Sequence, residues 1–220
     1  MIQFVNVTKS YDSNIAIRAV NLNIEKGEMV FITGPSGAGK TTLLRLIYRA
    51  EHPDEGQIIV AGWDVGKLKD RSIPYLRRNI GLVFQDYRLL QEKTVYDNIA
   101  LTLRILKVGE GDIKTRVSNI LKLVGIRHKS DSLPKDLSGG EQQRAVIARA
   151  LVGDPTVLLA DEPTGNLDPD TAMGILKLFK DINTRGTTVL IATHNRDLFA
   201  ETGKRVIYLR DGEIEREALG

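Results

Sequence analysis

The residues Gly34-Pro35-Ser36-Gly37-Ala38-Gly39-Lys40-Thr41 decide the fold of this 220-residue chain. They match the pattern G-x-x-x-x-G-K-[ST], which a chain of this length contains by chance in about one case in a hundred. The apolar run 29–32 before them is typical of a buried strand, and residues 41–49 after them have the leucine spacing of a helix. A strand, a glycine-rich loop and a helix in this order predict a unit that holds phosphate groups.

The chemistry of the loop follows from its backbone and two of its side chains. Glycines let backbone N–H groups turn inward around phosphates, and the helix that begins at Lys40 adds the partial positive charge of its N-terminus. We expect the Lys40 ammonium group to reach the β- and γ-phosphates of a bound ligand, and the Thr41 hydroxyl to bind Mg²⁺. The predicted nucleotide-binding residues of this loop are Gly34, Pro35, Ser36, Gly37, Ala38, Gly39, Lys40, Thr41 and Thr42.

Two adjacent carboxylates follow a second buried strand. The apolar run 157–160 ends in Asp161-Glu162, which places both side chains at the carboxyl end of a strand, where open α/β sheets bind ligands. An Asp-Glu pair usually belongs to a solvated loop, but the four apolar residues upstream argue against that interpretation here. We expect Asp161 to hold Mg²⁺ and Glu162 to act as the general base toward an attacking water.

The composition is that of a globular protein. Hydrophobic residues make up 42% and charged residues 27%, which excludes a disordered or collagen-like chain. The absence of cysteine excludes disulfide scaffolds, zinc-thiolate and iron–sulfur sites, and cysteine nucleophiles. A net charge of +3 is too small to indicate nucleic-acid binding by itself. No apolar run approaches the roughly 18 residues of a membrane span, and no secretory signal is visible, so we expect a soluble intracellular protein.

Periodicity predicts a single α/β domain over residues 1–220. The predicted strands cover residues 2–7, 19–24, 29–32, 56–60, 80–84, 157–160, 188–192, 205–209 and 213–214. The predicted helices cover residues 41–49, 95–106, 112–124, 141–152, 173–184 and 195–201. Asp211-Gly212 predicts a hairpin turn between the last two strands. A helical subdomain, about 86–154, is thus inserted into a core of about 1–85 and 155–220 with a mostly parallel sheet.

The hexapeptide Leu137-Ser138-Gly139-Gly140-Glu141-Gln142 identifies a family. Ser138 and Glu141 alone predict a capping box at a helix start, but a capping box requires neither both glycines nor Gln142-Gln143-Arg144. The chain resembles the ATP-binding-cassette (ABC) ATPases, whose signature motif is this hexapeptide, and the resemblance covers essentially the whole chain. It implies the P-loop NTPase fold of that family: α/β, with a mostly parallel core sheet, N-terminal antiparallel β elements and an inserted helical subdomain.

The resemblance also implies roles for residues outside the loop and the acid pair. Tyr11 is similar to the aromatic residue that stacks on adenine, although a tyrosine at a strand edge is a serious alternative. Gln85 resembles the glutamine that senses Mg²⁺ and the γ-phosphate. Residues 165–168, ending in Asp168, resemble the loop between the two sites of a dimer, or an ordinary turn. His194 resembles the switch histidine at the γ-phosphate, whereas lone histidines are more often structural.

In this family the signature motif of one chain completes the active site of a second chain. The resemblance therefore implies a head-to-tail homodimer that encloses two ATP molecules between phosphate loops and signature motifs. Chemically, the motif is a helix N-terminus with exposed N–H groups, which suits it to bind an anion. The residues implied to act across the dimer are Ser138, Gly139, Gly140 and Glu141.

Longer stretches narrow the resemblance within the family. Residues 77–86, 94–98 and 159–168 are similar to the bacterial cell-division members. The stretch 159–168 is shared with lipoprotein-release and macrolide-export ATPases, which remain the alternative, whereas Asp86 and residues 96–98 favour the cell-division branch. The resemblance implies a cytoplasmic protein held on the inner face of the membrane by an integral, permease-type partner, with no nucleic acid as ligand.

Overall fold

Two β-sheets frame the part of the chain that the computed structural model describes, residues 1–12 and 14–220. The strands are β1 (Ile2–Tyr11), β2 (Asn14–Ile24), β3 (Met29–Thr33), β4 (Glu55–Val60), β5 (Trp63–Asp64), β6 (Ile80–Val83), β7 (Val157–Asp161), β8 (Thr188–Ala192), β9 (Arg205–Arg210) and β10 (Glu213–Leu219). The helices are α1 (Lys40–Ile47), α2 (Ile73–Arg78), α3 (Val95–Ile105), α4 (Glu110–Leu123), α5 (Gly139–Leu151) and α6 (Pro169–Thr184). Short 3₁₀ helices lie at Asp70–Ser72, Arg127–Lys129, Pro134–Asp136 and Arg196–Leu198.

The larger sheet has its six strands in the order β10-β9-β3-β8-β7-β6. Neighbouring strands from β9 to β6 run parallel, and β10 is antiparallel to β9. Five parallel strands therefore direct their carboxyl ends to the same edge, where open α/β sheets bind ligands. The predicted mostly parallel core sheet is confirmed.

The strands of the core sheet are buried on both faces. Val30 and Ile32 of β3 contribute to a core that contains Leu43 of α1. Met29 and Phe31 belong to a second core, which is shared with helices α3, α4, α5 and α6. Because side chains alternate between the faces of a strand, burial of both faces requires the continuous apolar run seen in the sequence.

The smaller sheet supplies the N-terminal antiparallel elements. Its order is β2-β1-β4-β5, and all of its neighbouring strands are antiparallel. Phe4, Ile17 and Ile58 are buried in the same core as α1. The sheet thus packs over the first βα unit, so the end of β1 and the start of β2 reach the loop between β3 and α1.

Helices α3, α4 and α5 lie between β6 and β7 in the chain. The predicted amphipathic face of α4 is confirmed, since Ile113, Val117 and Leu121 are buried and Ile120 packs against the same core. α5 contacts α3, α4, α6 and β6, so it is the central helix of this group. None of the helices in the described part of the chain combines the length and apolarity needed to cross a membrane.

The helix predicted over residues 195–201 is wrong. Only the 3₁₀ helix Arg196–Leu198 forms there. The side-chain oxygen of Asn195 accepts a hydrogen bond from the Asp197 N–H at 3.0 Å, a local bond that competes with helix propagation. Glu201 has a φ of 59°, which a helix cannot accommodate.

Other boundaries differ because of caps and register. α6 begins at Pro169 and not at residue 173, because the Asp168 carboxylate accepts the Thr171 N–H at 2.9 Å and proline suits the first helical position. β2 begins at Asn14, earlier than predicted, because Asn14 pairs with Tyr11 at the end of β1. The short helix α2 has too few residues to show a helical period, and the sequence did not predict it.

Candidate active site

A cavity of about 690 Å³ opens at the carboxyl edge of the core sheet. It brings together most of the residues that the sequence predicted. Its lining consists of Tyr11, Ala16, Pro35, Ser36, Gly37, Ala38, Gly39, Lys40, Thr41, Thr42, Gln85, Glu162 and His194. Gly34 precedes this lining at the base of the loop, and Asp161 lies beside Thr41. The lining does not include Asp168 or residues 138–141.

Two positions of the loop require glycine, because backbone carbonyl groups of neighbouring strands lie too close for a side chain. Gly39, with a φ of 103°, is the N-cap of α1, and a side chain there would collide with the Ala16 carbonyl oxygen of β2. A side chain at Gly34 would collide with the carbonyl oxygen of Leu209 in β9. The loop therefore fits between the two sheets only with glycine at both positions, which holds it against the cavity.

Lys40 is the buried cation of the cavity. Its side chain bends back over the loop, and Nζ donates to the carbonyl oxygens of Gly34 and Pro35 at 2.8 and 3.0 Å. Only 8% of the residue is exposed, so the ammonium group lies where water screens its charge weakly. An anion in this loop would therefore meet a fixed positive charge together with the N-terminus of α1.

The acid pair takes two different positions at the end of β7. The Thr41 hydroxyl lies 3.2 Å from Asp161 Oδ1, beneath the loop. Burial raises the pKa of the Asp161 carboxyl, and the nearby Glu162 carboxylate raises it further, while the bond from Thr41 opposes both. Glu162 has a φ of 46°, and its side chain lines the cavity. The chain thus turns sharply between the two carboxylates.

Glu162 and His194 form a hydrogen-bonded pair in the cavity. Nδ1 of His194 lies 2.9 Å from Glu162 Oε1, and the backbone N–H of His194 donates to Oε2 at 3.4 Å. A carboxylate only accepts, so the Nδ1 atom carries the proton in this bond. The histidine ring is 70% exposed, whereas the glutamate side chain is 16% exposed. The exposed histidine therefore orients a largely enclosed carboxylate.

Gln85 and the loop that follows the acid pair lie in contact. A methyl group placed on Gly165 would come within 3.2 Å of Gln85 Nε2. Asp168, three residues further along, caps α6, and its bond from Thr171 lowers the pKa of its carboxyl. In this chain Asp168 thus has a structural partner outside the cavity.

The signature motif begins α5 with a complete capping box. The Glu141 N–H donates to Ser138 Oγ at 3.3 Å, and the Ser138 N–H donates to Glu141 Oε2 at 2.9 Å. The bond from the Ser138 backbone lowers the pKa of the Glu141 carboxyl, and Lys129 lies 3.4 Å from it. The motif is fixed by these two hydrogen bonds, and it does not line the phosphate cavity of its own chain.

Sequence reasoning missed Arg149, which joins α5 to the segment after Gln85. Its guanidinium group donates to the carbonyl oxygens of Tyr87 and Arg88 at 2.9 and 2.5 Å. Both acceptor residues have left-handed backbone angles, with φ of 38° and 52°. The one available signal was an arginine inside the small and apolar run 145–151 of a helix.

Comparisons with known proteins show which family the chain belongs to. A family model described as "ABC transporter" matches residues 17–165. The cell division ATP-binding protein FtsE of Streptococcus pneumoniae serotype 2 (strain D39 / NCTC 7466) is 48% identical over 218 residues, which are 99% of this chain and 95% of that protein. The protein of the same name from Escherichia coli (strain K12) is 49% identical over 215 residues, 97% of each chain.

A solved structure matches the whole fold. It is the dimeric structure of a post-hydrolysis state of the ATP-binding cassette MJ0796 bound to ADP and Pi. Its TM-score is 0.90 at 39% sequence identity, and the match covers 100% of this chain and 98% of that chain. The neighbour thus carries nucleotide and phosphate on the same fold.

The raised pKa of Asp161 predicts that this carboxylate destabilises the isolated chain. Its ionised form is disfavoured in the folded state, so its contribution to the free energy of unfolding is unfavourable above the folded pKa and vanishes below the unfolded value of about 3.9. Asp161→Asn, which keeps an oxygen acceptor for Thr41, should raise the free energy of unfolding at pH 7. The gain should shrink as the pH falls through the folded pKa.

Urea unfolding at several pH values measures this difference. Asp131→Asn is the matched control, because Asp131 is exposed and the same change there should leave the free energy of unfolding within about 0.5 kcal/mol of the parent. An Asp161→Asn chain that is less stable than the parent at pH 7 contradicts the prediction.

Proposed function

The chain belongs to the ABC transporter family as an ATP-binding and ATP-hydrolysing subunit of the cell-division FtsE type, and from that premise we propose its partner and mechanism. It works with an FtsX-like integral membrane protein and transmits ATP-driven conformational change across the membrane to regulate peptidoglycan hydrolysis. The proposed hydrolysis of ATP rests on the Glu162–His194 pair, whose side-chain atoms lie 2.9 Å apart in the cavity of the phosphate loop.

The alternative is an ATPase subunit of a lipoprotein-release or macrolide-export transporter. It is not favoured, because curated relatives at 46–49% identity over nearly the full chain are cell-division proteins from several bacteria. The two functions share the ATPase chemistry and differ in the membrane partner. The catalytic roles below therefore apply to both.

The phosphate loop supports the proposed nucleotide contacts. Lys40 and the N–H groups at the start of α1 hold the β- and γ-phosphates, since they form the positive end of the cavity. Tyr11, 36% exposed at the end of β1, also lines the cavity and stacks on the adenine ring. This arrangement leaves the γ-phosphate on the side of Glu162 and His194.

Glu162 acts as the general base for hydrolysis. As a water oxygen bonds to the γ-phosphorus and the bond to the bridging oxygen breaks, the carboxylate takes the proton of that water. His194 holds the carboxylate through Nδ1 and directs its other ring nitrogen to the γ-phosphate. Gln85 lies against the loop at Gly165 and positions the water or the γ-phosphate.

Mg²⁺ fits the oxygen donors at the base of the loop. Thr41 Oγ1 and Asp161 Oδ1 are 3.2 Å apart, and Gln85 lines the same cavity. A cation there relieves the cost of the buried, ionised Asp161, which is consistent with the raised pKa of that carboxyl. When bound, Mg²⁺ neutralises charge on the phosphate oxygens.

The signature motif completes the site of a second copy. Residues 138–141 lie outside the phosphate cavity of their own chain, although their N–H groups suit an anion. In the proposed homodimer, each motif covers the nucleotide on the partner's loop. The dimeric cassette structure with bound ADP and phosphate supports this arrangement. Asp168, which caps α6, belongs to the loop at the proposed dimer contact.

The segment 86–90 is the proposed docking site of the membrane protein. The two leucines of the segment differ in solvent exposure: Leu89 is buried with 6% exposure, and Leu90 is 46% exposed. The Leu90 backbone is fixed by Asn98, whose amide bonds both its N–H and its carbonyl. Arg88 lies over the Phe84 ring at 4.1 Å. An apolar anchor and a cation are thus presented at the junction with the helices.

Removing the general base should separate ATP binding from hydrolysis. Glu162→Gln keeps the size of the side chain but cannot accept the proton, so turnover should fall at least about a hundred-fold. Because Lys40 and Thr41 remain, ATP should still bind and hold the dimer closed. Size-exclusion chromatography should show an ATP-dependent shift to dimer. Glu92→Gln, on an exposed loop, is the control and should behave as the parent. Normal turnover in Glu162→Gln shows that another group is the base.

Mixing two inactive variants tests the shared site. Ser138→Arg blocks the motif and Lys40→Ala disables the loop, so each chain alone should be inactive. In a mixed dimer, the loop of the first variant faces the intact motif of the second, which restores one composite site. ATPase activity should therefore recover in part on mixing. Circular dichroism checks folding, since Ser138 also caps α5. No recovery between folded variants is the outcome expected of a site contained in one chain.

Substitutions in residues 86–90 test the docking segment. Leu90→Asp or Arg88→Glu should abolish co-purification with the membrane protein, while Leu90→Asp should leave the basal ATPase activity unchanged. Leu89→Asp is the control, since a carboxylate there would be buried and should destabilise the fold. Mass spectrometry of the co-purified membrane protein identifies the partner. Unchanged co-purification of the Leu90 and Arg88 variants removes this segment from the interface.

A further inference from the structure

The positive charge of the chain is concentrated in one segment. Residues 67–78, here called the basic segment, contain five cations and one carboxylate, a net charge of +4. The whole chain has a net charge of +3, so the other 208 residues sum to −1. The cations are Lys67, Lys69, Arg71, Arg77 and Arg78, and the carboxylate is Asp70.

The basic segment is attached to the protein by one buried side chain and by hydrogen bonds to the residues that follow α1. Leu76 of α2 is fully buried. The Arg77 guanidinium group donates to the carbonyl oxygens of Tyr48 and Arg49, which follow α1, at 3.1 Å each. Arg49 in turn donates to the carbonyl oxygen of Val65 at 3.1 Å. The backbone of the segment is therefore held on α1, and its outer side chains project from a fixed surface.

Three outer cations lack a carboxylate partner. Within residues 1–12 and 14–220, Lys67 forms an ion pair with Asp64. Lys69, Arg71 and Arg78 form no ion pair with any carboxylate of these residues. By contrast, Arg104 and Arg116 of the helical group are both paired. All three unpaired cations are exposed, so the segment presents uncompensated positive charge to its surroundings.

An exposed aromatic ring lies within this positive surface. Tyr75 is 54% exposed, and the Arg78 guanidinium group lies 4.8 Å from its ring centroid. Tyr75 thus places an amphipathic ring beside a cation, within a segment that carries further exposed cations, which is the chemistry found at the headgroup level of membranes. An acidic protein surface would use the cations but gives no equal reason for the exposed ring.

The basic segment adjoins the proposed docking site of the membrane protein. Tyr48, whose carbonyl oxygen accepts from Arg77, lines a cavity of about 90 Å³ together with Arg88. The segment and residues 86–90 are thus connected through α1. The inference that the basic segment faces the membrane rests on the proposed function. The charge and the exposure of the segment are observed independently of that function.

We propose that the basic segment binds the anionic headgroups of a lipid bilayer. Clusters of four to eight lysines and arginines are typical of segments that bind anionic lipid; this segment contains five, of which Lys69, Arg71 and Arg78 are exposed and lack a carboxylate partner among the described residues. Each cation near an anionic surface raises the affinity about five-fold, so contacts from Lys69, Arg71 and Arg78 give a weak and salt-dependent attachment. It adds to the binding of the membrane protein and restricts the orientation of the ATPase.

Vesicle sedimentation of the full chain, without the membrane protein, tests the proposal. The probes are phosphatidylcholine vesicles and vesicles with about a third phosphatidylglycerol at low ionic strength. The parent should bind the anionic vesicles only, and binding should disappear when salt shortens the screening length. The triple variant Lys69→Glu/Arg71→Glu/Arg78→Glu should lose at least about a hundred-fold in affinity. Its basal ATPase activity should be unchanged, which shows that it folds.

A matched control distinguishes the effect of where the cations lie from the effect of the net charge of the chain. Lys114→Glu/Lys122→Glu/Lys177→Glu changes three exposed lysines elsewhere and has the same net charge as the first variant. It should lose much less of the vesicle affinity. Failure of the parent to bind anionic vesicles, or an equal loss in both variants, overturns the proposal.

Co-purification in detergent separates the remaining possibilities. If the basic-segment variant binds vesicles normally but no longer holds the membrane protein, the surface binds that protein and the lipid proposal is wrong. If the variant loses vesicle binding and still co-purifies, the lipid proposal is supported. Because the vesicles contain no protein, their result stands even if the proposed partner of the ATPase is wrong.

Discussion

The parallel pairing of β3, β8 and β7 is the constraint on which the site depends. The register joins Asp161 of β7 to Ala192 of β8, and Ile32 of β3 to the same Ala192. The residues that follow these strands must therefore emerge side by side. Three segments that are distant in sequence supply the phosphate loop, the acid pair and His194. Each alone is a polar turn, and their chemistry arises from the shared sheet edge.

The same edge places functional charges close to the buried core. The strands beneath them are buried on both faces, so the charges can lie only at the strand ends. Asp161 is near enough to the core for burial to raise the pKa of its carboxyl, and Lys40 is mostly enclosed by its loop. In the proposed function, a bound nucleotide and its Mg²⁺ compensate both charges, so ligand binding should raise the stability of the chain.

Sequence reasoning succeeded where a local signal coincided with the tertiary contact. The strand 188–192 was predicted with its observed bounds, because its run of apolar residues ends in polar ones. The helix expected over 195–201 failed, since the Asn195 side chain bonds to the backbone two residues on. Arg149 was missed because its partners are backbone carbonyls, which carry no sequence signal. The different burial of Leu89 and Leu90 likewise depends on packing and not on residue type.

The geometry of the signature motif shows which groups it contributes to the proposed shared site. The capping box uses the N–H groups of Ser138 and Glu141, and the Gln142 N–H bonds to the Ser138 carbonyl. Within the described residues, this leaves Gly139 and Gly140 as the first-turn donors available to an external anion. Neither has a side chain that would shield its N–H group. Since the motif does not line the phosphate cavity of its own chain, these two donors are the groups that the proposed homodimer directs to the nucleotide of the partner chain.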